Sequence, residues 1–332
     1  MRVFATSIIC AMAAAFWSVA AHSASSTAKG GAPLQVVASI LPLHSLVAGV
    51  MQDVGRPILL VRGGASPHRY AMRPSTAKAL NGADMVFWIG PNLESFLVKS
   101  IGRIQGASVA LTRAEGVRLL PAREGGVWAS HSDLHTDSHT DSHTGSGMNS
   151  LTGEQADHKS VDQHLWLDPV NARAMVQSIA AALIKADPAN SAVYARNSLG
   201  MAARLATLAT RSERILAPVR HAPYIVFHDA YQYFEKRFRL NVVGSVLVHT
   251  GHQPGARRLH DIREKMLKSG AVCIFREPQF EPRLAQSLVR GVPTRIGVLD
   301  PLGVGLKPGP EAYFVLLKKL GDAVADCLGK RL

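Results

Sequence analysis

The sequence predicts an α/β protein made of two parallel-sheet lobes that are joined by one long helix. Short apolar runs alternate with helical periodicity in both halves of the chain, which is typical of βαβ units and parallel sheets. A polar stretch, residues 130–163, interrupts the first alternation. A continuous helical pattern from Ala189 to about Leu216 separates the two alternations, and we interpret it as a helix that connects the lobes.

The first residues of the chain have the pattern of a secretory signal peptide, which we place at residues 1–24. Arg2 provides a positive start, an apolar run extends from Val3 to Ala21, and small residues around and after its end permit cleavage. An uncleaved membrane anchor is the alternative, although no basic stop-transfer cluster follows the apolar run. We therefore expect the mature chain to be exported.

The first lobe is predicted to span residues 34–187. Four strands are expected, at Leu34–Ser39, Pro57–Val61, Ala83–Ile89 and Ala107–Leu111. A helix is expected at Pro169–Ala186, because Asp168 is a good N-cap residue and proline suits the first helical position. Residues 130–163 contain few large apolar side chains, so we expect them to form a disordered, His-rich loop.

The linking helix is predicted at residues 188–218 and the second lobe at residues 219–332. At 1.5 Å per residue, the helix would be on the order of 40 Å long, which is more than one small lobe needs. The strands of the second lobe and its last helix are expected at Tyr224–His228, Val242–Val248, Ala271–Arg276, Thr294–Leu299 and Glu311–Leu328.

The charge of the chain does not indicate a nucleic-acid-binding protein. The sequence has 37 Lys and Arg against 24 Asp and Glu, a formal net charge of +13. No block of five or more basic residues occurs, and the cations are scattered along the chain. We interpret the charge as a general surface property and expect no nucleic-acid partner.

Four side chains that can bind a metal ion lie at or near the carboxyl ends of the predicted strands, where open α/β sheets bind ligands. His68 follows the second strand, His164 precedes a helix, His228 ends a strand, and Asp300 follows the last strand. Three imidazoles and a carboxylate form a tetrahedral ligand set that suits Zn²⁺. His68 and His164 would come from the first lobe and the other two from the second, so the site is predicted in the cleft between the lobes.

Each candidate also has a structural interpretation, because an isolated histidine is more often a hydrogen-bonded residue of the fold than a ligand. An exported zinc hydrolase is an alternative function, and it would need three protein ligands, an activated water and a general base. No His-Glu-x-x-His motif is present, and Glu277 is the nearest candidate base.

The motifs around these residues resemble the ZnuA family, the periplasmic zinc-binding components of bacterial ABC importers. The resemblance covers roughly residues 34 to 328. The matching segments are Ser66–His68 with Tyr70 and Arg73–Ser75, Trp88–Pro91, His164–Pro169, Val226–Phe234, Gln253–Ala256, Glu277–Phe280 and Leu299–Gly303.

The resemblance implies two lobes on one rigid helix and a periplasmic protein that is not an enzyme. Zinc would be held by His68, His164 and His228 and delivered to a membrane permease driven by an ATPase. In some zinc-binding members a glutamate directly precedes the first ligand histidine, but this chain has Pro67 there. The fourth ligand would therefore be either Asp300 or a water. We expect a monomer.

Three alternatives remain beside a zinc importer component. A manganese or iron importer component is disfavoured because manganese-binding relatives have glutamate at position 228, whereas imidazole suits zinc. The zinc hydrolase described above and a surface adhesin are the other two.

The His-rich stretch is a second feature shared with the family. His131, His135, His139 and His143 recur every four residues and His158 follows. We interpret them as an auxiliary metal-collecting loop; a solvated linker that binds nothing specifically is the alternative.

Two cysteines remain after removal of the leader, Cys273 and Cys327. An even pair in an exported chain favours a disulfide over two buried thiols, and the resemblance implies the same pairing.

Overall fold

The structure is a computed structural model, and it describes residues 33–123, 128, 161–247 and 254–330. Leu34–Leu332 form one compact unit. Its described residues contain two four-stranded parallel sheets with helices packed against them, which confirms the predicted α/β class. None of the helices in the described ranges is long and apolar enough to cross a membrane.

The first sheet has the strand order β2-β1-β3-β4. Its strands are β1 (Val36–Ala38), β2 (Ile58–Leu59), β3 (Met85–Trp88) and β4 (Ala107–Ala110). The helices of this half are α1 (Leu41–Val50), α2 (Pro74–Asn81) and α3 (Ser95–Ile101). Every residue of the central strands β1 and β3 is buried, which explains why they read as continuous apolar runs rather than as alternating patterns.

Two helices follow the first sheet. Helix α4 (Pro169–Ala186) begins as predicted, because Asp168 accepts a hydrogen bond from the Val170 backbone N–H at 2.8 Å. Helix α5 (Ser191–Leu216) has 26 residues and is therefore about 39 Å long. Its buried side chains recur every three or four residues and pack against α1, α4 and the C-terminal helix. Helix α5 joins the two lobes.

The second sheet repeats the topology of the first, with the strand order β6-β5-β7-β8. Its strands are β5 (Tyr224–His228), β6 (Val242–Leu247), β7 (Cys273–Arg276) and β8 (Arg295–Val298). The helices of this half are α6 (Gln232–Phe238), α7 (Ala256–Ser269), α8 (Pro282–Val289) and α9 (Ala312–Gly329).

A disulfide between Cys273 and Cys327 ties the C-terminal helix to the second sheet, as predicted. Cys273 is the first residue of β7 and Cys327 lies near the end of α9, with 6.3 Å between their Cα atoms. The bridge closes a loop of 54 residues. In the chain-entropy model, a disulfide that closes a loop of this length stabilises the fold by roughly 4 kcal/mol, because it lowers the entropy of the unfolded chain.

Three residues of the predicted disordered loop belong instead to the fold. Val161 forms an antiparallel bridge with Pro121, and both Asp162 and Gln163 are buried. The predicted boundary at residue 163 is therefore too late, because polar side chains that pair inside the protein were interpreted as solvated. The signal peptide at residues 1–24 and the histidines of the auxiliary loop (His131, His135, His139, His143 and His158) lie outside the described residues.

Candidate metal centre

Three histidines that are distant in sequence converge on one point. Each of His68, His164 and His228 offers a ring nitrogen, and these three atoms lie within 4.8 Å of one another. The Nε2 atoms of His68 and His164 are 3.3 Å apart. The ring centroid of His228 lies 5.7 Å from that of His68 and 5.0 Å from that of His164. The structure thus brings together the three imidazoles that the strand-end argument predicted.

The local fold explains why each imidazole reaches this point. His68 lies in the short helical turn Pro67–Arg69 that follows β2, and His228 is the last residue of β5. His164 immediately precedes the helical turn Leu165–Leu167. The carboxyl ends of parallel strands meet at one edge of a sheet, so turns that leave these ends of the two sheets can face each other.

The imidazoles line a small cavity. His164 is 6% exposed and His228 is 5% exposed. The cavity has a volume of about 20 Å³, which is room for one particle of the size of a water molecule. Its other lining residues are Ser66, Pro67, Trp166, Glu277, Gln279, Phe280, Pro301 and Leu302. A cavity of this size and chemistry fits a single metal ion better than an organic ligand.

Asp162 contacts His164 through one carboxylate oxygen. Asp162 Oδ1 lies 2.8 Å from the ring Nδ1 of His164 and accepts a hydrogen bond from the His164 backbone N–H at 2.9 Å. Nothing in the sequence pattern pointed to this residue, because it lies in the stretch that was interpreted as a loop.

Glu277 stands in the corresponding place beside His228. Its Oε1 atom lies 3.5 Å from His228 Nδ1, and both side chains are buried. Burial by itself would lower the pKa of the His228 imidazole, but the Glu277 carboxylate raises it, and the net direction is upward. The contact again involves Nδ1, so Nε2 is the ring nitrogen of His228 that lies away from the carboxylate.

The structure does not bring Asp300 into the three-histidine group. Asp300 Oδ1 accepts hydrogen bonds from the backbone N–H groups of Leu302 and Gly303, and Oδ2 accepts one from Val304. The Gln279 side chain is a further donor, at 3.3 Å from Oδ1. The carboxylate therefore shapes the turn after β8, and this turn supplies a wall of the cavity. Asp300 as the fourth ligand stays a prediction, with a water as the alternative.

A half-buried arginine forms a charged cluster with Asp229, the residue after His228, and with Glu235. Arg123 makes ion pairs with Asp229 at 2.6 Å and with Glu235 at 2.5 Å. The ring of Trp128 covers its guanidinium at 4.2 Å. Burial raises the pKa of Glu235 to about 7, although the charge of Arg123 lowers it. These ion pairs connect Arg123, the last residue of the described range 33–123, to Asp229 and to Glu235 of α6 in the second lobe.

Comparison with known proteins identifies the family of the chain. The family model described as ZnuA, zinc-uptake complex component A, periplasmic, matches residues 36–327. The chain belongs to the ZnuA family. The high-affinity zinc uptake system protein ZnuA of Brucella suis biovar 1 is 44% identical over 306 residues, which cover 89% of this chain and 92% of the relative. The protein of the same name from Yersinia pestis is 34% identical over 296 residues, covering 88% and 91%.

Solved structures agree with the two-lobed fold. A crystal structure of ZnuA superposes with a TM-score of 0.69 at 21% identity, covering 89% of this chain and 98% of the other. The solute-binding protein FpvC of Pseudomonas aeruginosa in complex with Mn²⁺ superposes with a TM-score of 0.71, also at 21% identity, covering 90% and 99%. At this level of identity the likeness establishes the fold only.

Membership in the ZnuA family confirms the predicted class of function. The chain is a periplasmic solute-binding protein of the zinc-uptake type, and it works with an ABC transporter. It is a component of a transport system rather than an enzyme. The three-histidine group is the place in the described residues where a metal ion can bind.

Proposed function

We propose that this ZnuA-family chain captures Zn²⁺ with His68, His164 and His228 and delivers it to the membrane permease of an ABC importer. The observation that carries the proposal is the convergence of three histidine ring nitrogens within 4.8 Å, from a half-buried His68 and the buried His164 and His228. Zinc binds well to neutral imidazole nitrogens, whereas manganese prefers harder oxygen donors. The same three residues therefore favour zinc over a manganese-importing role.

The fourth position of a tetrahedral zinc site is proposed to hold a water. Both carboxylate oxygens of Asp300 accept backbone hydrogen bonds in the turn after β8, and neither Asp300 nor Glu277 belongs to the group of ligand atoms that lie within 4.8 Å of one another. A site with three protein ligands and an exchangeable water can also release its ion when the lobes separate.

For the remaining organisation of the chain, the proposal is the one expected from the sequence. We propose a signal peptide at residues 1–24, a first lobe at 34–187, a linking helix at 188–218 and a second lobe at 219–332. The histidines between residues 131 and 158 are proposed to form an auxiliary metal-collecting segment. We propose that the mature protein acts as a monomer with the permease and its ATPase, without a nucleic-acid partner.

Zinc titration of the mature chain without a histidine tag tests this proposal. We expect the zinc dissociation constant to rise by more than ~100-fold in each of the variants His68→Ala, His164→Ala and His228→Ala. The loss of a residue that only hydrogen-bonds to a metal ligand typically costs 10- to 100-fold, and the loss of the ligand itself should cost more. His260→Ala is the matched control, because His260 is exposed on α7 and lies outside the group. Unchanged zinc affinity in any of the three variants would remove that histidine from the site.

A further inference from the structure

Asp162 links a candidate metal ligand to the opposite lobe. On one side, its Oδ1 atom contacts both the ring Nδ1 and the backbone N–H of His164. A carboxylate oxygen only accepts hydrogen bonds, so this contact places the ring proton of His164 on Nδ1. The Nε2 atom then keeps its lone pair and lies 3.3 Å from Nε2 of His68, facing the point where a metal ion would bind.

On its other side, Asp162 is held by helix α6 of the second lobe. The Gln232 side-chain amide donates to Asp162 Oδ2 at 3.2 Å, and the Tyr233 hydroxyl donates to the Asp162 carbonyl at 2.8 Å. The Asp162 backbone N–H donates to the Leu120 carbonyl at 2.9 Å. Asp162 is 7% exposed and Gln232 is 1% exposed, so water competes poorly for these bonds.

Helix α6 is close in sequence to another ligand of the proposed site. It begins four residues after His228, and its Gln232 also donates to the Pro121 carbonyl at 3.1 Å. Helix α6 therefore makes hydrogen bonds with two chain segments, Leu120–Arg123 before the histidines of the auxiliary loop and Val161–Asp162 after them. The orientation of His164 therefore depends on contacts made with the half of the molecule that carries His228.

We propose that Asp162 is a positioning residue for zinc capture, which fixes the tautomer and the ring orientation of His164 and is itself held by α6. The inference rests on the proposed function, since it assigns a role within the same site. An orienting partner of a metal-bound imidazole typically contributes 10- to 100-fold in metal affinity.

Two variants of Asp162 separate charge from hydrogen bonding. Asp162→Asn keeps an oxygen that accepts from His164 Nδ1–H but loses the charge, and Asp162→Ala loses both. We expect the zinc dissociation constant to rise by about tenfold in the first variant and by up to ~100-fold in the second. Competition with a chromophoric zinc chelator measures both values.

The control variant is Asp168→Asn. Asp168 is as buried as Asp162 and makes a two-pronged ion pair with Arg237 at 2.7 and 2.6 Å, yet it contacts none of the three histidines. We expect Asp168→Asn to lower the melting temperature while zinc affinity stays at the wild-type value. An equal loss of affinity in this control would show that the Asp162 effect is general destabilisation, and it would overturn the proposal.

A spectroscopic measurement tests the orienting role directly. In metal-free wild-type protein, long-range ¹H–¹⁵N spectra should show His164 in the Nδ1–H tautomer, and Asp162→Ala should shift it toward a mixture. An unchanged tautomer, or wild-type zinc affinity in Asp162→Ala, would overturn the role of Asp162 alone. Failure of the wild-type chain to bind zinc tightly would instead overturn the proposed function.

Discussion

Glu94 lies fully buried at the carboxyl ends of β1 and β3. Its carboxylate accepts hydrogen bonds from the Ser39 hydroxyl at 2.5 Å and from the backbone N–H groups of Ile89 at 3.2 Å and Gly90 at 2.9 Å. Burial raises the pKa of Glu94 to about 7, although these three donors lower it. The folded protein therefore holds the protonated form of Glu94 more strongly than the unfolded chain does.

The pH dependence of stability follows from the direction of this shift. Because the pKa in the folded state is higher than in the unfolded state, the stabilising contribution is complete below about pH 4.5 and is lost as the pH rises through about 7. The free energy of unfolding of metal-free protein should fall less between pH 5 and pH 8 in Glu94→Gln than in wild type. Urea unfolding measures this difference, and parallel pH profiles would contradict it.

At the residue scale, the strand-end rule predicted the three histidines but not the side chains that orient them. His68 follows a strand and His228 ends one, and both strands are visible as apolar runs, so the proximity of the two histidines could be inferred from topology. Asp162 and Gln232 meet although 70 residues separate them in sequence. Such a contact depends on how α6 packs against the flanks of the His-rich stretch, and no periodic pattern encodes it.

Helix α5 offers a test of how one element contributes to the stability of the fold. Gly200 is an exposed helical position at which a Cβ atom would meet no other atom within 4 Å. Gly200→Ala should therefore raise the free energy of unfolding by about 0.5–1 kcal/mol, because alanine loses less backbone entropy in a helix. Urea unfolding at constant pH measures the change.

Gly49 provides the matched control on the helix that packs against α5. A Cβ atom at Gly49 would lie 2.5 Å from the sulfur of Met201, a buried residue of α5. We expect Gly49→Ala to lower the free energy of unfolding by about 1–3 kcal/mol, since Met201 must move. Stabilisation by Gly49→Ala, or destabilisation by Gly200→Ala, would contradict this description of the α1–α5 contact.

The elements that the sequence predicted best are those with the strongest patterns. Helix α5 shows a buried residue at every third or fourth position over 26 residues, and its predicted span agrees closely with the structure. Helix α3 was not predicted, because it has only seven residues and a single fully buried one, Leu97. In so short an element, packing rather than periodicity determines the conformation.

On the scale of the whole molecule, the segment that ends at Arg123 and the segment that begins at Val161 contact each other directly. Pro121 pairs with Val161, and Asp162 N–H donates to the Leu120 carbonyl. Replacing residues 124–160 by a short Gly-Ser linker should therefore preserve one tight zinc site, while the total zinc bound at high concentration should fall. Calorimetry with zinc measures both quantities. Loss of the tight site would show that the stretch belongs to the primary site.

The most direct test of the central claim is a crystal structure of the zinc-bound protein measured at the zinc absorption edge. We expect one anomalous peak at about 2.0–2.1 Å from a ring nitrogen of each of His68, His164 and His228. The Asp300 carboxylate should still accept hydrogen bonds from the backbone of the turn after β8. A peak elsewhere, or a zinc ion that binds Asp300 in place of one of these histidines, would show that His68, His164 and His228 are not together the zinc ligands.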